Sequence, residues 1–398
     1  MLRVVLRLLL ASAVVTTLPA CPGSTQTKTS NKKTKKAKKA DTKALVSEAR
    51  DDAKNGDYDA ADAKYAEAWE TSKDFDVLEE RVDFLIHAGR ATKAAEAAKA
   101  FLDANISDKN AYILYAEALL AGNKGAEALE VADQLIQLNA DEPAGYEKKG
   151  RALILLEKNE EGIDMLRKAV QMDNTSASFH RSLGIALNKL GKIDESALEF
   201  RAAIKADSDD AEAHVLLGMA LRGQQEYDEA KSYLDKAIEL DPRNGRAYFE
   251  MGLLYNQQKK QDLAEAALSK AVQLSPNESL FWYAYGEIYR LQERFEDAIT
   301  AYKKATDIDP PYTKAMFKLG SLLIQKKSYD EAEVVLTNAV RREPKNPSGY
   351  LVLGDLYAAK RKAKLGIESY QKYLELAPKS DPERDRAQSA IRELKRQR

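Results

Sequence analysis

The sequence predicts an all-α solenoid, because three observations return at a constant spacing of 34 residues. Blocks that begin at residues 75, 109, 143, 177, 211, 245, 279, 313 and 347 align without an insertion. Apolar residues at block positions 4, 7 and 11, and again at 20, 24 and 27, have the spacing of two amphipathic helices. Small residues recur at positions 8 and 20, and proline recurs at position 32. A lone helical hairpin would leave both apolar stripes exposed, so we expect the hairpins to stack.

The small residues mark the place where the two helices of a block are expected to cross, since they let the backbones approach. Position 8 is Gly150, Gly184, Gly218, Gly252, Gly286, Gly320 and Gly354. Position 20 is Ala94, Ala128, Gly162, Ser196, Ala230, Ala264, Ala298, Ala332 and Gly366. Position 27 is Ala169, Ala203, Ala237, Ala271, Ala305 and Ala339 in the middle of the array.

The ends of the second helix of each block also have sequence signals. We expect the carboxylates at position 18 to cap its N-terminus, because they can accept from free backbone N–H groups. These residues are Asp194, Asp228, Asp262 and Asp330. Proline has no N–H and is expected to end the helix at position 32, where the chain has Pro242, Pro276, Pro310, Pro344 and Pro378.

One block, Ser279–Tyr312, shows the pattern most completely, with Trp282, Tyr285, Gly286, Tyr289, Ala298, Tyr302, Ala305 and Pro310. It resembles the tetratricopeptide repeat (TPR) family. The resemblance covers residues 41–380 and implies a right-handed superhelix of about ten helix-turn-helix repeats. Residues 381–398, with Ala387, Ala390, Ile391 and Leu394 at helical spacing, are expected to form a capping helix.

The early blocks depart from the TPR pattern. Val82 and Ala116 replace Gly at position 8, and Phe101 and Leu135 replace Ala at position 27. The first block, about residues 41–74, fits through Ala61, Tyr65 and Ala68 after a slip of one residue.

The N-terminus is typical of an exported lipoprotein. Residues 1–20 combine Arg3 and Arg7 with an apolar run too short to span a bilayer, as in a signal peptide. The sequence from Leu18 to Cys21 resembles the bacterial lipobox, which implies that a diacylglycerol is attached to Cys21, although Pro19 is unusual there. The alternative is an ordinary secretory signal followed by a chance cysteine. Against it, Leu18 is large for a conventional cleavage site, and Cys21 is the only cysteine in the chain.

Residues 21–40 are expected to hold the lipidated cysteine and a flexible, lysine-rich tether. Its lysines could add attraction to an anionic membrane surface, or the segment could be a soluble spacer only. By the lipoprotein sorting rule of one bacterial lineage, Pro22 in place of Asp after the lipidated Cys favours the periplasmic face of the outer membrane over the inner membrane.

Charge argues against nucleic acid as a partner. Residues 41–398 have 53 basic and 63 acidic side chains, a net charge of −10, whereas phosphate binding needs clustered Lys and Arg. Asp76, Glu79, Asp83 and Glu117 form an acidic end that could meet a basic partner, although a solvated face is favoured.

No residues with the spacing of a catalytic site, cofactor site or metal site stand out, so we expect no enzyme activity and no cofactor. His180 and His214 both lie at position 4, 34 residues apart. A metal pair there would lack a third ligand, so we interpret each histidine as a substitute for the aromatic residue that packs at this position.

The family resemblance implies a partner-binding concave groove lined by positions 2, 5, 9, 12 and 13 of each first helix. The residues expected there are Arg181, Val215, Met219, Arg222, Arg246, Phe249, Leu253, Tyr283, Arg290, Phe317, Ile324 and Leu351, with Arg151, Leu280 and Leu291 beside them. Apolar and guanidinium groups suit an extended or helical peptide with apolar and acidic residues. The alternative is that some of these side chains pack against the next repeat.

The resulting functional expectation is a lipid-anchored scaffold of the bacterial cell envelope that binds proteins through this groove. The layout is similar to TPR lipoproteins that help assemble secretins of type IV pili, or that recruit cell-wall hydrolases or polysaccharide-export machinery. A carrier that holds a peptide or glycan in the same groove is the alternative.

Overall fold

The computed structural model describes residues 27–308 and 312–396, with side-chain surroundings from residue 40 onward. Regular secondary structure in these residues consists of 21 α-helices, which confirms the predicted all-α solenoid. The chain divides between Leu138 and Asn139 into two compact units. The predicted signal peptide and Cys21 lie outside the described residues.

Unit 1 contains three helical pairs. Its helices are α1 (Thr27–Asn55), α2 (Tyr58–Ser72), α3 (Phe75–His87), α4 (Ala91–Ala104), α5 (Lys109–Ala121) and α6 (Gly125–Leu138).

Unit 2 contains seven helical pairs and one further helix. Its helices are α7 (Pro143–Leu155), α8 (Asn159–Met172), α9 (Ala177–Lys189), α10 (Ile193–Ala206), α11 (Ala211–Gly223), α12 (Tyr227–Leu240), α13 (Gly245–Gln257), α14 (Gln261–Leu274), α15 (Ser279–Leu291), α16 (Phe295–Asp307), α17 (Thr313–Gln325), α18 (Tyr329–Arg342), α19 (Pro347–Ala359), α20 (Ala363–Leu376) and α21 (Arg384–Arg396). Odd numbers from α1 to α19 are the first helices of the repeats, and even numbers are the second helices.

Position 8 is where the two helices of a repeat touch, as predicted. A Cβ atom added to Gly184 would lie 2.5 Å from the ring of Phe200, and one added to Gly286 would lie 2.6 Å from the ring of Tyr302. Both rings belong to position 24 and are fully buried. In unit 1 the residue at position 8 is larger than glycine and the residue at position 24 is smaller, with Val82 and Ala98 in one block and Ala116 and Ala132 in the next. The departures in the early blocks therefore keep the crossing close.

The prediction about the caps is wrong. Asp194 and Asp330 lie in the first turn of α10 and α18, after the capping residues Lys192 and Ser328, whose side chains make no capping hydrogen bond. A carboxylate in the first turn still favours the helix dipole. Asp194 also accepts from Gln224 at 2.6 Å and thus joins adjacent repeats. Asp228 and Asp262 likewise lie in the first turn of α12 and α14.

The side chains that do cap helices lie at position 34, one residue before each first helix. They accept from a backbone N–H two or three residues later, which satisfies one of the free donors of the first turn. These residues are Asp74, Asp108, Glu142, Ser176, Asp210, Asn244 and Asn346.

Both ends of the array have helices. Residues 27–40, expected to be part of a flexible tether, continue α1 as helix, and lysine is a good helix former. Residues 41–55 of α1 pair with α2 and form the first repeat, with Ala49 and Tyr65 buried between them. At the other end, α21 packs Ala387, Ile391 and Leu394 on α20.

Among the described residues, no helix combines the length and hydropathy of a membrane span.

Candidate functional site

The candidate binding surface of unit 2 is built by its first helices, α7, α9, α11, α13, α15, α17 and α19, which lie side by side. We call the surface formed by their positions 2, 5, 9, 12 and 13 the first-helix face. The second helix of each repeat packs against the Gly at position 8 of its first helix.

Position 5 does not provide the exposed anchors that the sequence suggested. Val215 is fully buried, and Phe249 and Phe317 are only 5% and 7% exposed. The Phe249 ring stacks on Phe281 of α15 at 4.4 Å, and the Phe317 ring lies against Gly349 of α19. Both partners are at position 3 of the next first helix. Position 5 therefore joins neighbouring repeats, as the alternative interpretation allowed.

Tyr283 and Leu351, also at position 5, are half-buried. The Tyr283 ring packs against Tyr302 and Tyr312 at centroid distances of 5.9 and 4.9 Å. Burial and the nearby charge of Glu287 raise the pKa of Tyr283 to about 12, so its hydroxyl stays neutral.

Position 9 holds the apolar side chains that solvent reaches on three consecutive first helices. Met219 and Leu253 are half-buried, and Ile185 is 46% exposed. Sequence analysis missed Ile185, although it occupies the same position as the other two. The three side chains occupy the same position on the neighbouring first helices α9, α11 and α13, and we call them the apolar row. Leu280, Leu291 and Ile324 add exposed or half-buried apolar surface on α15 and α17.

The predicted arginines are engaged with carboxylates, most of them on the adjacent first helix. Arg222 of α11 donates to the buried Glu250 of α13 at 3.0 Å. Arg246 of α13 donates back to Glu212 of α11. Burial raises the pKa of Glu212, while the charge of Arg246 opposes the shift. Both ion pairs join the neighbouring first helices α11 and α13.

Two further arginines also pair with carboxylates, one toward the next repeat and one within its own helix. Arg181 donates to Asp210, the residue that also caps α11 through the N–H of Ala213. Arg290 bonds Glu287 within α15 at 2.9 Å. Burial alone would raise the pKa of Glu287, but hydrogen bonds from Arg290 and the Tyr302 hydroxyl hold it below its usual value.

Unit 1 has a separate cleft that sequence analysis missed. It has a volume of about 910 Å³ and lies between α1 and the turn from α2 to α3. Its wall includes Arg50, which bonds both carboxylate oxygens of Glu80 at 2.6 and 2.8 Å, and Tyr65 donates to the same carboxylate. On α3, Asp76 and Asp83 are exposed, and partial burial together with their charges raises the pKa of Glu79.

The two histidines at position 4 have a structural role. The Nε2 atoms of His180 and His214 lie 3.1 and 3.0 Å from backbone carbonyls six residues earlier. Tyr146 and Trp282, at the same position, donate to the equivalent carbonyls. The interpretation that the histidines substitute for aromatic residues is therefore confirmed.

Solved structures with similar folds are repeat proteins. A chain of the APC/C hetero-tetramer Cut9-Hcn1 has a TM-score of 0.58 at 15% identity, over 84% of this chain and 58% of that one. The human IFIT1 dimer with PPP-AAAA has a TM-score of 0.52 at 16% identity, over 84% and 89%. YrrB, described as a TPR protein with an unusual peptide-binding site, is 27% identical over 48% and 98%, with a TM-score of 0.36. No curated relative matches the chain.

Family models identify the repeats directly. Residues 81–143, 147–211, 181–230 and 215–279 match a tetratricopeptide repeat model. Residues 256–384 match the TPR domain of cytochrome c-type biogenesis protein H. Repeats of this kind form scaffolds for protein–protein interaction, and the matches together extend over more than half of the sequence. The chain therefore belongs to the tetratricopeptide repeat family.

Proposed function

We propose that this protein is a lipid-anchored, non-catalytic adaptor of the bacterial cell envelope that binds partner proteins through the first-helix face of unit 2. The observation that supports this surface most is the apolar row of Ile185, Met219 and Leu253. Ion pairs between neighbouring first helices hold the row in place, so little order has to be gained on binding. Apolar side chains that solvent reaches at the same position of neighbouring helices are typical of a binding site.

The proposed anchor is a diacylglycerol on Cys21 after removal of residues 1–20. The sequence of the N-terminus supports it, and the periplasmic face of the outer membrane is the proposed location. Partners would then be envelope proteins of secretin or pilus assembly, cell-wall remodelling or polysaccharide export. To test the anchor, cells that express the wild-type chain or Cys21→Ser would be labelled with radioactive palmitate and fractionated. Label and membrane association should both be lost in the variant, and a fully labelled variant would exclude the anchor.

The binding surface can be tested with a matched pair of substitutions. Ile185→Asp together with Met219→Asp places charge on the first-helix face, whereas Leu198→Asp places it on α10 of the same repeat. Leu198 is 67% exposed and lies on a second helix rather than on the first-helix face, so it is a control of the same chemistry. Partners would be crosslinked to the full chain in envelope membranes and identified by mass spectrometry.

We expect the double variant to lose partners that both the wild type and Leu198→Asp retain, with equal helicity by circular dichroism. Equal capture by all three proteins would exclude the first-helix face as the binding surface. If no protein is captured and calorimetry detects short peptides or glycans instead, the adaptor proposal fails and the carrier alternative replaces it.

A further inference from the structure

The cleft in unit 1 has no part in the proposed function. Its volume of about 910 Å³ lies within the range of about 300–1,000 Å³ that is typical of pockets for small ligands. Each of its two helical walls contributes two charged side chains and one valine. These residues are Lys43, Val46 and Arg50 on α1, and Asp76, Val77 and Glu80 on α3. The turn between α2 and α3 adds the polar residues Thr71, Ser72 and Asp74.

An ion pair joins the two walls. Arg50 donates to both carboxylate oxygens of Glu80 at 2.6 and 2.8 Å, and the Tyr65 hydroxyl of α2 donates to the same carboxylate at 2.8 Å. Hydrogen bonds from Arg50 hold the pKa of Glu80 below its usual value, so this carboxylate is ionised and already engaged. Because the walls are tied together without a ligand, little order has to be gained when one binds.

The turn between α2 and α3 is held by its own hydrogen bonds. The Ser72 hydroxyl donates to the Ala68 carbonyl at 2.8 Å and accepts from the Asp74 N–H at 3.1 Å. Asp74 then caps α3 by accepting from the Asp76 N–H at 3.4 Å. The backbone at both aspartates is therefore fixed by the turn and the cap, and not by an ion pair.

Three charged groups of the cleft have no oppositely charged partner among residues 40–308 and 312–396. They are the Lys43 ammonium on α1 and the carboxylates of Asp74 and Asp76 at the start of α3. Asp76 is exposed, and its charge adds to burial and to Asp83 in raising the pKa of Glu79, as a carboxylate does when no cation neutralises it. The cleft thus has one unpaired cation on one wall and two unpaired carboxylates on the other side.

We propose that this cleft binds a short peptide segment with a basic and an acidic residue on either side of an apolar one, the base lying at Asp74 and Asp76 and the acid at Lys43. Charge complementarity selects the two ends of the segment. Val46 and Val77, one on each wall, select its apolar centre. This binding site goes beyond the proposed function, which concerns the first-helix face of unit 2.

Four fluorescent peptides of about six residues, a size suited to a pocket of this volume, provide the test. Their ends are blocked and their apolar centre is the same, and the flanking residues are Lys and Glu, Lys and Gln, Gln and Glu, or Gln and Gln. Dissociation constants would be measured by fluorescence anisotropy with the full chain in detergent, at low and high salt. We expect the peptide with Lys and Glu to bind most tightly, each replacement by Gln to weaken binding roughly threefold or more, and salt to reduce these differences.

Substitutions in the cleft assign each end of the peptide. Asp76→Asn should reduce the advantage that the peptide gains from its Lys and leave the advantage from its Glu unchanged, whereas Lys43→Gln should do the reverse. Asp103→Asn on α4 and Lys54→Gln on α1 provide matched controls, because both residues are exposed and neither lines the cleft. Neither control should change any affinity.

A bulky side chain tests the location. Thr71→Trp fills part of the cleft and should weaken all four peptides, with helicity by circular dichroism equal to that of the wild type. If Thr71→Trp leaves every affinity unchanged, the peptides bind elsewhere and the cleft is refuted as their site.

The proposal is also refuted if the four peptides bind equally, if Asp76→Asn and Lys43→Gln leave the order of affinities unchanged, or if no peptide binds at millimolar concentration. These results leave the proposed function untouched, because crosslinking with Ile185→Asp and Met219→Asp tests that surface separately.

Discussion

Replacing Gly286 with alanine tests how closely the two helices of a repeat cross. The new Cβ would lie 2.6 and 2.7 Å from two ring carbons of Tyr302, whereas carbon atoms prefer separations of about 3.5–4.0 Å. The ring cannot retreat easily, because it is fully buried and its hydroxyl bonds Glu287. Overpacking of this kind costs about 1–3 kcal/mol, against a gain of up to about 1 kcal/mol from helix propensity. With the full propensity gain subtracted, we expect a net loss of up to about 2 kcal/mol of unfolding free energy.

Gly223 provides a control with the opposite sign. It is also helical, but a Cβ there would meet only the Cγ2 of Ile193 at an ordinary 3.7 Å. Gly223→Ala should therefore stabilise unit 2 by up to about 1 kcal/mol. Urea unfolding would be followed by the fluorescence of Trp282 after Trp69→Phe, since the chain has two tryptophans and Trp69 belongs to unit 1.

A double-mutant cycle completes the test. In Tyr302→Ala the ring is absent, so adding Gly286→Ala should cost nothing further and recreate the small pair of Ala116 and Ala132. The reasoning would be refuted if Gly286→Ala stabilised the protein as Gly223→Ala does, or if its effect were the same with and without the Tyr302 ring.

Three further predictions concern caps, ion pairs and pH. Asn244→Ala removes the acceptor that caps α13 and should lower the unfolding free energy, measured in urea, by about 1 kcal/mol. Asp262→Ala removes only a first-turn carboxylate and should lower it by a few tenths of a kcal/mol. Equal losses would contradict the cap assignment. Arg222→Ala leaves the buried Glu250 carboxylate unpaired and should lower the unfolding free energy by about 3–5 kcal/mol. Arg167→Ala, at an exposed ion pair, should lower it by only about 0–1 kcal/mol. A small loss at both sites would refute the structural role of the buried pair. Because burial raises the pKa of Tyr283 to about 12, while an unfolded tyrosine ionises near 10, its contribution to stability is complete below about pH 10 and is lost as pH rises toward 12. Tyr283→Phe should flatten that decline in urea titrations at successive pH values, and an unchanged slope would exclude this tyrosine as the cause.

Repetition made the crossing of the helices predictable from sequence. Glycine occupies position 8 in seven successive repeats, so its cause must act in each of them. That cause is the contact with the buried side chain at position 24, which leaves no room for a Cβ atom. The same regularity explains why the two histidines were interpreted correctly, since a side chain at position 4 must reach the same carbonyl in each repeat.

Residues at helix ends and at repeat junctions were harder to predict. Asp194 and Asn244 both suit a helix N-terminus, and only backbone geometry shows which side chain bonds a free N–H. Phe249 and Ile185 both occupy positions expected to face a partner, yet position 5 is covered by the next first helix and position 9 is not. Local periodicity identifies the face of a helix, whereas the depth of a side chain on that face depends on the neighbouring repeat.

The residue at position 24 in the core restricts which side chain position 9 can present on the first-helix face. In α15 and α19, position 9 is Glu287 and Asp355, and each accepts from the hydroxyl of a buried tyrosine at position 24, Tyr302 and Tyr370. In α9, α11 and α13, where position 9 is apolar, position 24 is Phe200, Leu234 and Leu268. These residues have no polar atom that needs an acceptor.

The length of the apolar row therefore follows from the core behind it. A buried hydroxyl without a partner costs about 1–3 kcal/mol, so a tyrosine at position 24 favours an acceptor at position 9 and excludes an apolar side chain there. Glu287→Leu alone would extend the row by one repeat, but it would leave the Tyr302 hydroxyl and Arg290 without their acceptor. With Tyr302→Leu in addition, the repeat would match its neighbours in both core and face, and the apolar row would reach α15. Surface and core thus have to change together in this repeat, because its two helices are close enough to share the hydrogen bond between Tyr302 and Glu287.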